Sequence, residues 1–547
     1  MLYRRVVPMG LLALALDAST AGGQSIQALI HEGGTIEGMG SIEKIRLQGV
    51  NDSGTWVGEV ETDFETPSRD EALLRDGAVE LREGITLPLP PGAELGDFVG
   101  VDLTATGDLG LLIGFPGAIQ SRGVFWNLVP AVVTGDPFDE PGIAPNSTWR
   151  SLLHAKLNSN RELLVFGELV TTGSTVRKHT LARYRVDQTG AVTSIEVLAS
   201  KGLPMAALGG ELLNVMPTNS GATCQNERGD FLCVVDGVDS SPAVLLNMET
   251  ILAQVGQPSP VNGLVWKYLD RIPRTSINDF GDYVFTGSTQ HPTDPDPDAA
   301  LYVIIKNGDV FAKEGDLVGS FTEPMGKGSL NPVLITNSGD VYWYWQNEAG
   351  TESALMRNDQ AILQENVTQV VGNLVVDIPT QDNFRVSHDG RFWIGRVDMQ
   401  NLGETLFLAD FGLVVPIPGC HANPGRLTLV EGMAVAGDHL LLAMDNGQAP
   451  GVAPILFFST APRISPSPCG TMTPFGELLI GLRSRFLRLV LPIWDGTNPS
   501  LIDLSIPKDI ALVDAEFYLQ GMFVDIDATP AENFRPTNGM RVQIGAP

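Results

Sequence analysis

Short apolar runs that follow turn-forming residues recur along most of the chain. Seven times, a polar tetrapeptide precedes a strand-like run, and successive tetrapeptides lie 51 to 68 residues apart. Spacings near 50 residues are typical of one four-stranded β-propeller blade per repeat. The seven tetrapeptides are Asn51–Gly54, Thr104–Gly107, Asn158–Arg161, Asn226–Gly229, Asn278–Gly281, Thr336–Gly339 and Ser387–Gly390.

The residue types in these tetrapeptides are those that form tight turns. An Asn, Ser or Thr side chain at the first position accepts a hydrogen bond from a backbone N–H two residues on. Glycine at the fourth position adopts the positive φ that closes a hairpin at little steric cost. We therefore interpret the repeat as structural, with turn residues Asn51, Gly54, Gly107, Asn158, Asn226, Gly229, Asn278, Gly281, Gly339 and Gly390.

A second hairpin follows the tetrapeptide in most repeats. Asp76-Gly77 and Asn307-Gly308 stand between apolar runs, which is the strongest short-range hairpin signal. In the seventh repeat the run that ends at Gly412 leads to Leu413–Val415, which we expect to form the matching strand. Each repeat thus predicts about four strands in an up-and-down order.

The ends of the repeat region indicate a closed ring. Several repeats end in a Glu-Gly step, as at Glu83-Gly84 and Glu314-Gly315, and the same step occurs early in the chain at Glu32-Gly33. The seventh repeat stops near Gly419 without it. An N-terminal strand is therefore expected to complete the last repeat, which removes exposed sheet edges. An open array is the alternative.

These patterns predict an all-β protein in two parts. Residues 24–419 form a β-propeller of about seven repeats. Residues 420–547 lack the repeat but contain many short strand-like runs without helical periodicity, which favours a β-sandwich. With 60 Gly and 37 Pro among 547 residues, the chain has the turns that such folds need.

Two resemblances accompany these motifs. Asn278-Asp-Phe-Gly-Asp-Tyr-Val-Phe285 resembles the tandem Asn-x-x-Gly-x-x-Ala-Phe repeat of bacterial secreted proteins, over about residues 24–419. Thr104, Thr336 and Ser387 replace its Asn, and Arg161 replaces its Gly. The resemblance implies a propeller-like fold and a secreted location, and it implies no catalytic residues.

The C-terminal part is similar to a β-domain found on many exported planctomycete-type proteins. The likeness rests mainly on Phe517-Tyr518-Leu-Gln520 and Thr537-Asn538-Gly539. Lys508 and Thr537 depart from that pattern.

Charge and the first residues place the protein outside the cell. The net charge is −29, from 64 acidic and 35 basic residues, so the surface repels phosphate backbones and excludes nucleic acid as a partner. Residues 1–23 predict a signal peptide, with Arg4 and Arg5 ahead of an apolar stretch too short to span a bilayer. No later stretch predicts a transmembrane segment, so a secreted or cell-surface protein is expected.

The four cysteines are typical of an exported protein. Cys224 and Cys233 flank a repeat turn, and Cys420 and Cys469 both lie in the C-terminal part. We predict the disulfides Cys224–Cys233 and Cys420–Cys469. Four free thiols are the alternative.

Two local signals suggest ligands. Asp294, Asp296 and Asp298 alternate with prolines, and their carboxylates are expected to ligate Ca²⁺ if this acidic insertion is not merely solvated. No other cofactor is required by any motif. Tyr342–Trp345 are four consecutive aromatic residues, which predict either a core strand or a pair of rings that stack on a sugar.

The sequence contains no recognisable catalytic motif. The first hypothesis is a secreted non-catalytic protein whose propeller presents a surface to an extracellular glycan or protein, and whose C-terminal domain attaches it or assembles copies of it. The alternative is a propeller glycosidase or lyase with acidic residues at the central channel. Clustered axial carboxylates with perturbed pKa values would favour the enzyme.

Overall fold

The computed structural model describes most of the chain. The residues described are 25–64, 70–85, 94–116, 121–216, 220–238, 241–269, 274–294, 296, 299–327, 332–370, 372–379, 384–417, 419–420, 423–445, 452–461, 470–481, 486–494, 498–525 and 534–545. The predicted signal peptide lies outside these residues. Within them the structure is all-β and contains no α-helix, and no helix is long and apolar enough to cross a membrane.

Strand β1 covers Ser25–His31, and the strands that follow it form antiparallel sheets in chain order. Sheet 1 contains β2 (Thr35–Ile36), β3 (Gly40–Val50), β4 (Trp56–Thr62), β5 (Glu71–Arg75) and β6 (Ala78–Arg82). Sheet 2 contains β7 (Phe98–Leu103), β8 (Leu109–Gly114), β9 (Arg122–Trp126) and β10 (Val129–Val133). Sheet 3 contains β11 (Ser147–Leu157), β12 (Glu162–Thr171), β13 (Arg177–Val186) and β14 (Val192–Ser200).

Sheet 4 contains β15 (Pro204–Met205), β16 (Glu211–Val215), β17 (Thr223–Gln225), β18 (Phe231–Gly237), β19 (Ala243–Leu246) and β20 (Thr250–Gln254). Sheet 5 contains β21 (Val265–Tyr268), β22 (Thr275–Ile277), β23 (Tyr283–Gln290), β24 (Leu301–Lys306) and β25 (Asp309–Lys313). Sheet 6 contains β26 (Val333–Ile335), β27 (Val341–Gln346), β28 (Ser353–Arg357) and β29 (Gln360–Gln364). Sheet 7 contains β1, β30 (Gln369–Val370), β31 (Asn373–Asp377), β32 (Phe384–Val386), β33 (Phe392–Met399) and β34 (Gly403–Asp410). The chain forms two 3₁₀ turns between strands of sheet 4, at Ala206–Leu208 and Ser220–Ala222.

Buried clusters between neighbouring sheets hold this region together. Each consecutive pair of sheets, from 1 and 2 through to 6 and 7, shares an apolar core. The series closes because Phe392, Ile394 and Leu406 of sheet 7 pack with Ile45 and Val60 of sheet 1. The sheets therefore follow one another around an axis, and the fold is propeller-like.

The predicted N-terminal closure is confirmed. Strand β1 pairs antiparallel with β34, from Ser25 opposite Asp410 to His31 opposite Thr405. Its apolar side chains pack on both sides of sheet 7: Ile26 against the core shared with sheet 6, and Ile30 against the core shared with sheet 1. The last sheet thus combines strands from the two ends of the repeat region.

The repeat turns have the predicted chemistry. The Asn226 side-chain oxygen accepts the N–H groups of Arg228 at 3.0 Å and Asp230 at 2.8 Å, and Gly229 has φ 89°. Asn51 and Asn278 accept two backbone N–H groups in the same way. Glycine occupies the fourth position at positive φ in six turns, and Arg161 adopts φ 62° in the remaining one.

One strand assignment is corrected. Leu413–Val415 were expected to form a hairpin with the last repeat strand, but they belong to β35 (Leu413–Ile417), which pairs with β44 (Phe534–Gln543). The physical reason is that β1 already occupies the outer edge of β34, so the chain must leave the sheet. The last strand of sheet 7 thus ends at Asp410, and the chain passes directly into β35.

The C-terminal unit is built from two sheets that share one core, plus a hairpin. The larger sheet contains β35, β38 (Ala453–Ser459), β41 (Phe486–Val490), β43 (Glu516–Val524) and β44. The smaller sheet contains β36 (Arg426–Gly432), β37 (His439–Asp445) and β42 (Ser500–Ser505). Strands β39 (Thr471–Thr473) and β40 (Gly476–Leu478) form the hairpin, and Ile510–Leu512 form a 3₁₀ turn. Leu440, Leu442, Leu519 and Val542 lie in the shared core.

The C-terminal unit packs directly on sheet 7. The Arg391 guanidinium contacts Asp410 of its own sheet at 2.9 Å and Asp514 of the C-terminal unit at 2.7 Å. Met433 and Val435 join the apolar core between sheets 6 and 7. The unit therefore covers one side of the ring and is not joined to it by a linker alone.

The prediction of a Cys224–Cys233 disulfide is wrong, because both thiols are free. In the β17–β18 pairing, Cys233 stands opposite Thr223, whereas Cys224 stands opposite Leu232. Because neighbouring residues on a strand point to opposite faces, the two thiols lie on opposite faces of sheet 4. Cys420 takes part in a disulfide, but its predicted partner, Cys469, lies outside the described residues, so that pairing stays a prediction.

The four aromatic residues of β27 are core residues. Tyr342 and Tyr344 pack between sheets 6 and 7, and Trp343 and Trp345 pack between sheets 5 and 6. None exposes more than 1% of its surface. The hypothesis that two of these rings stack on a sugar is therefore wrong.

Candidate axial site

A cavity of about 170 Å³ lies on the ring axis. One strand from each of the seven sheets lines it: β3, β7, β11, β17, β22, β26 and β32. Each of these strands leads directly into a repeat turn. The seven turns therefore meet at one end of the cavity.

The residue at the second position of each turn stands at this end. We call these seven residues the axial cluster, and they are Asp52, Ala105, Ser159, Glu227, Asp279, Asn337 and His388. The first position is buried in every turn, with at most 3% of its surface exposed. The second position therefore carries the chemistry that differs from one repeat to the next.

First-position asparagines join successive sheets. The Asn158 amide nitrogen donates to the carbonyl oxygen of Asn226 at 3.3 Å, Asn226 donates to that of Asn278 at 2.8 Å, and Asn278 to that of Thr336 at 2.8 Å. Threonine and serine have no amide that could repeat this contact. Asparagine at this position thus both forms its own turn and links it to the next sheet.

Glu227 reaches across the axis from sheet 4. Its Oε1 accepts the backbone N–H of Ala105 in sheet 2 at 3.1 Å, and its Oε2 accepts the N–H of Ser159 in sheet 3. The His388 Nε2 of sheet 7 lies 3.3 Å from Oε1. One carboxylate thus connects four sheets, and only 13% of its side chain is exposed.

The other members connect the remaining sheets. Asp279 accepts the N–H of Glu227 at 2.8 Å and the Asn337 amide at 2.6 Å. Asn337 donates its N–H to the carbonyl oxygen of His388 at 2.7 Å. The Oδ1 of Asp52 accepts the N–H of Asp389 at 3.1 Å, which joins sheet 7 to sheet 1. Hydrogen bonds and close polar contacts of the axial cluster therefore connect all seven sheets.

Asp52 differs chemically from the other carboxyl groups of the cluster. Burial, and next the charge of Asp389, raise its pKa to about 6. The charge of His388 and the hydrogen bond from Asp389 oppose this rise, and the charge of Glu227 adds to it. The second carboxylate oxygen of Asp52 accepts no hydrogen bond from the described residues, whereas both oxygens of Glu227 and of Asp279 accept hydrogen bonds.

This arrangement can perform acid–base chemistry. A carboxyl group with a pKa near 6 holds a proton under mildly acidic conditions and can transfer it to a bound group. A carboxylate fixed beside it can stabilise developing positive charge or act as a base. His388 belongs to the axial cluster and also lines the cavity, so a molecule that enters the cavity from this end contacts the axial cluster as well as the cavity wall.

Two other groups with strongly shifted pKa values, Glu59 and His154, are buried. Burial raises the pKa of Glu59 to about 8, but its side chain is only 1% exposed and faces Arg46 at 3.6 Å. Burial lowers the pKa of His154 to about 3, and its ring packs against Phe166 at 4.8 Å. A substrate cannot reach either group, so we treat both as structural.

The acidic insertion is only partly described. The Asp294 carboxylate accepts the N–H of Asp296 at 3.0 Å in the loop after β23. Asp298 lies outside the described residues, so the calcium site stays a prediction. Within the described part of the chain, no group of three or more His, Cys, Asp or Glu side chains is arranged to hold a metal ion.

Comparison with known proteins gives likeness in structure alone. No protein-family model and no curated protein matches the sequence. A Penicillium chrysogenum α-L-arabinanase complexed with arabinobiose is 11% identical, over 57% of this chain and 92% of that chain, with a TM-score of 0.28.

A eukaryotic initiation factor is 11% identical, over 69% and 90% of the two chains, with a TM-score of 0.28. A Fusarium graminearum α-L-arabinofuranosidase of family GH93 is 9% identical, over 71% and 98%, with a TM-score of 0.26. Identities and scores this low assign no activity to the chain.

Proposed function

We propose that this chain is an extracellular polysaccharide-cleaving enzyme, a glycosidase or lyase, that acts at the axial cluster of a seven-bladed propeller. In this proposal sheets 1 to 7 are the blades and the C-terminal unit is a β-sandwich. The observation that carries it is Asp52, a half-buried carboxyl group with a pKa of about 6 and a spare oxygen, on the axis beside the fixed carboxylate of Glu227.

The two carboxyl groups have different roles in this proposal. Asp52, protonated below about pH 6, donates its proton to the leaving oxygen as the glycosidic bond breaks, and the resulting carboxylate takes a proton from the water that adds to the sugar. Glu227 stays in place through two backbone N–H groups and His388, and it stabilises positive charge on the sugar. Only Asp52 then changes its protonation state during the reaction.

A non-catalytic binding protein is the second candidate. Both oxygens of Glu227 and of Asp279 accept hydrogen bonds from other sheets, so these carboxylates also hold the sheets together. If that is their whole role, the propeller would instead present a surface to an extracellular glycan or protein.

Export and attachment complete the proposal. Residues 1–23 would direct secretion, and the C-terminal unit would attach the protein to the cell surface or assemble copies of it. Strand β41 at the edge of its larger sheet exposes Leu487 and Val490, and exposed apolar side chains of this kind favour contact with another surface.

Hydrolysis assays on wild type and Asp52→Asn test the proposal. The probes are arabinan, galactan, pectate and alginate, with reducing-end release and 235 nm absorbance as readouts, between about pH 4 and pH 8. We expect the wild type to cleave at least one of them, and Asp52→Asn to lose about 100-fold or more in kcat, because asparagine donates no acidic proton. Asp309→Asn, exposed on β25, is the control and should keep full activity.

Binding to the same polysaccharides separates the candidates. If the wild type binds a polysaccharide that it does not cleave at any pH, the non-catalytic candidate replaces the enzyme. If Asp52→Asn cleaves as fast as the wild type, Asp52 is not the acid.

A further inference from the structure

Three basic side chains line the axial cavity, although the chain as a whole is strongly acidic. Lys156, Arg274 and Arg385 line it, from sheets 3, 5 and 7, and Asp102 is the one Asp or Glu among the described lining residues. The net charge of the chain is −29. Basic side chains that face a cavity attract anionic ligands.

The register of the lining strands places two of these cations at one depth. Lys156 and Arg385 each stand two residues before the first position of their turns, as do Asp102 and Cys224. The charge of Lys156 acts on the pKa of the buried Cys224 thiol, which burial raises to about 11. Lys156 is therefore close to the neighbouring sheet 4 and belongs to the cavity wall.

The carboxylate in the wall does not neutralise Lys156. The Oδ2 of Asp102 accepts the backbone N–H of Leu157 at 3.2 Å. Among the described residues, Lys156 forms no ion pair. A half-buried ammonium group without a carboxylate partner is a group that an anion would stabilise.

A buried amide in the same wall also lacks a partner. Both Oε1 and Nε2 of Gln225 are inaccessible to water, and neither makes a hydrogen bond among the described residues. Buried polar atoms without partners are rare in folded proteins and indicate a missing ligand or water. Gln225 stands one residue before the turn of sheet 4, at the boundary between the cavity and the axial cluster.

We propose that the axial cavity binds a carboxylate or a similar oxyanion, held by Lys156, Arg385 and Arg274, with Gln225 as a further hydrogen-bonding group. A cavity of about 170 Å³ is comparable to engineered protein cavities of about 150 Å³ that hold benzene, so it has room for a small carboxylate. The substrate class rests on the proposed function: if the chain cleaves polysaccharides, the bound carboxylate belongs to a uronic acid unit of an acidic polysaccharide.

Calorimetric titration of the full chain tests the site without any activity assay. The probes are galacturonate, its neutral counterpart galactose, and inorganic sulfate, each added to wild type, Lys156→Gln, Arg385→Gln and Arg150→Gln. Arg150 is the control because it lies on the same strand as Lys156 but is exposed. Thermal melting of each variant verifies that it is folded.

We expect galacturonate to bind the wild type and galactose not to bind. Lys156→Gln and Arg385→Gln should each weaken galacturonate binding about 10-fold or more, because each removes a charge-assisted contact, whereas Arg150→Gln should not. Sulfate binding with the same losses, without galacturonate binding, supports an oxyanion site but assigns it to a free anion and not to a sugar acid.

Two outcomes overturn the inference. One is that no anion binds the wild type, and the other is that anions bind the folded cavity variants as tightly as they bind the wild type. Asp52→Asn should bind the anion normally. The loss of catalysis in that variant and the loss of anion binding in the cavity variants are therefore independent results.

Discussion

A chain that begins at Gly33 is expected to lose its cooperative fold, whereas one that begins at Ser25 keeps it. The shorter chain lacks β1, which leaves the N–H and C=O groups along the outer edge of β34 without partners. It also removes Ile26, Leu29 and Ile30 from the apolar cores on both sides of sheet 7. Full burial of such a side chain contributes about 1.5–3 kcal/mol; because these three are partly buried, their loss together with the unpaired edge of β34 is expected to cost about 3 kcal/mol or more.

Thermal unfolding and solubility of the two chains measure this effect. A loss of about 3 kcal/mol or more is a large part of the total stability of about 5–15 kcal/mol that most proteins have, so the shorter chain should aggregate or melt without a sharp transition. A synthetic peptide of residues 25–31 should restore part of the transition when added to the shorter chain. A shorter chain that stays soluble and melts within a few degrees of the longer one would show that the ring does not depend on β1.

Replacing Glu227 with glutamine is expected to destabilise the protein by about 2–3 kcal/mol. The two oxygens of Glu227 accept N–H groups from Ala105 and Ser159. Glutamine can offer an oxygen to one of them, but its NH₂ group then faces the other donor. A half-buried N–H is left without an acceptor, and the contact to His388 loses its charge.

Urea unfolding of Glu227→Gln checks this value, with Glu249→Gln as the matched control. Glu249 is exposed in a turn of the same sheet, so its replacement should change the free energy of unfolding by less than about 0.5 kcal/mol. The midpoint for Glu227→Gln should fall with an unchanged m-value. Equal midpoints for the two variants would mean that Glu227 does not hold the sheets together.

Local signals were sufficient to predict the turns and the closure. Asn226 and Gly229 form the turn that their residue types indicate, since an Asx turn needs only neighbouring residues. The Glu32-Gly33 step identified the strand that completes sheet 7. In both cases the evidence lies within a few residues of the feature that it predicts.

Contacts between distant repeats were not predictable in this way. Cys224 and Cys233 are close in sequence, but a register that places them on opposite faces depends on how β17 and β18 pair. Leu413–Val415 have strand-like residues, and only the occupied edge of β34 shows that their partner is β44, more than a hundred residues away.

The axial cluster was missed for a related reason, although a signal for it existed. When the seven turns are aligned on their first position, the second position is polar in six of them, from Asp52 to His388. That variation indicates a position with a role besides turn formation. Its meaning becomes clear only when the ring brings the seven residues to one axis.

Titration of Asp52 tests most directly whether groups from distant sheets meet on the axis. Carbon-13 NMR of protein labelled at the aspartate side-chain carboxyls follows each group with pH, and Asp52→Asn assigns its signal. We expect a signal with a midpoint near pH 6 that vanishes in Asp52→Asn and moves to lower pH in Asp389→Asn, because the negative charge of Asp389 in sheet 7 then no longer acts on Asp52 in sheet 1. If the signal lost in Asp52→Asn titrates near pH 4 in the wild type, the axial cluster does not exist as described.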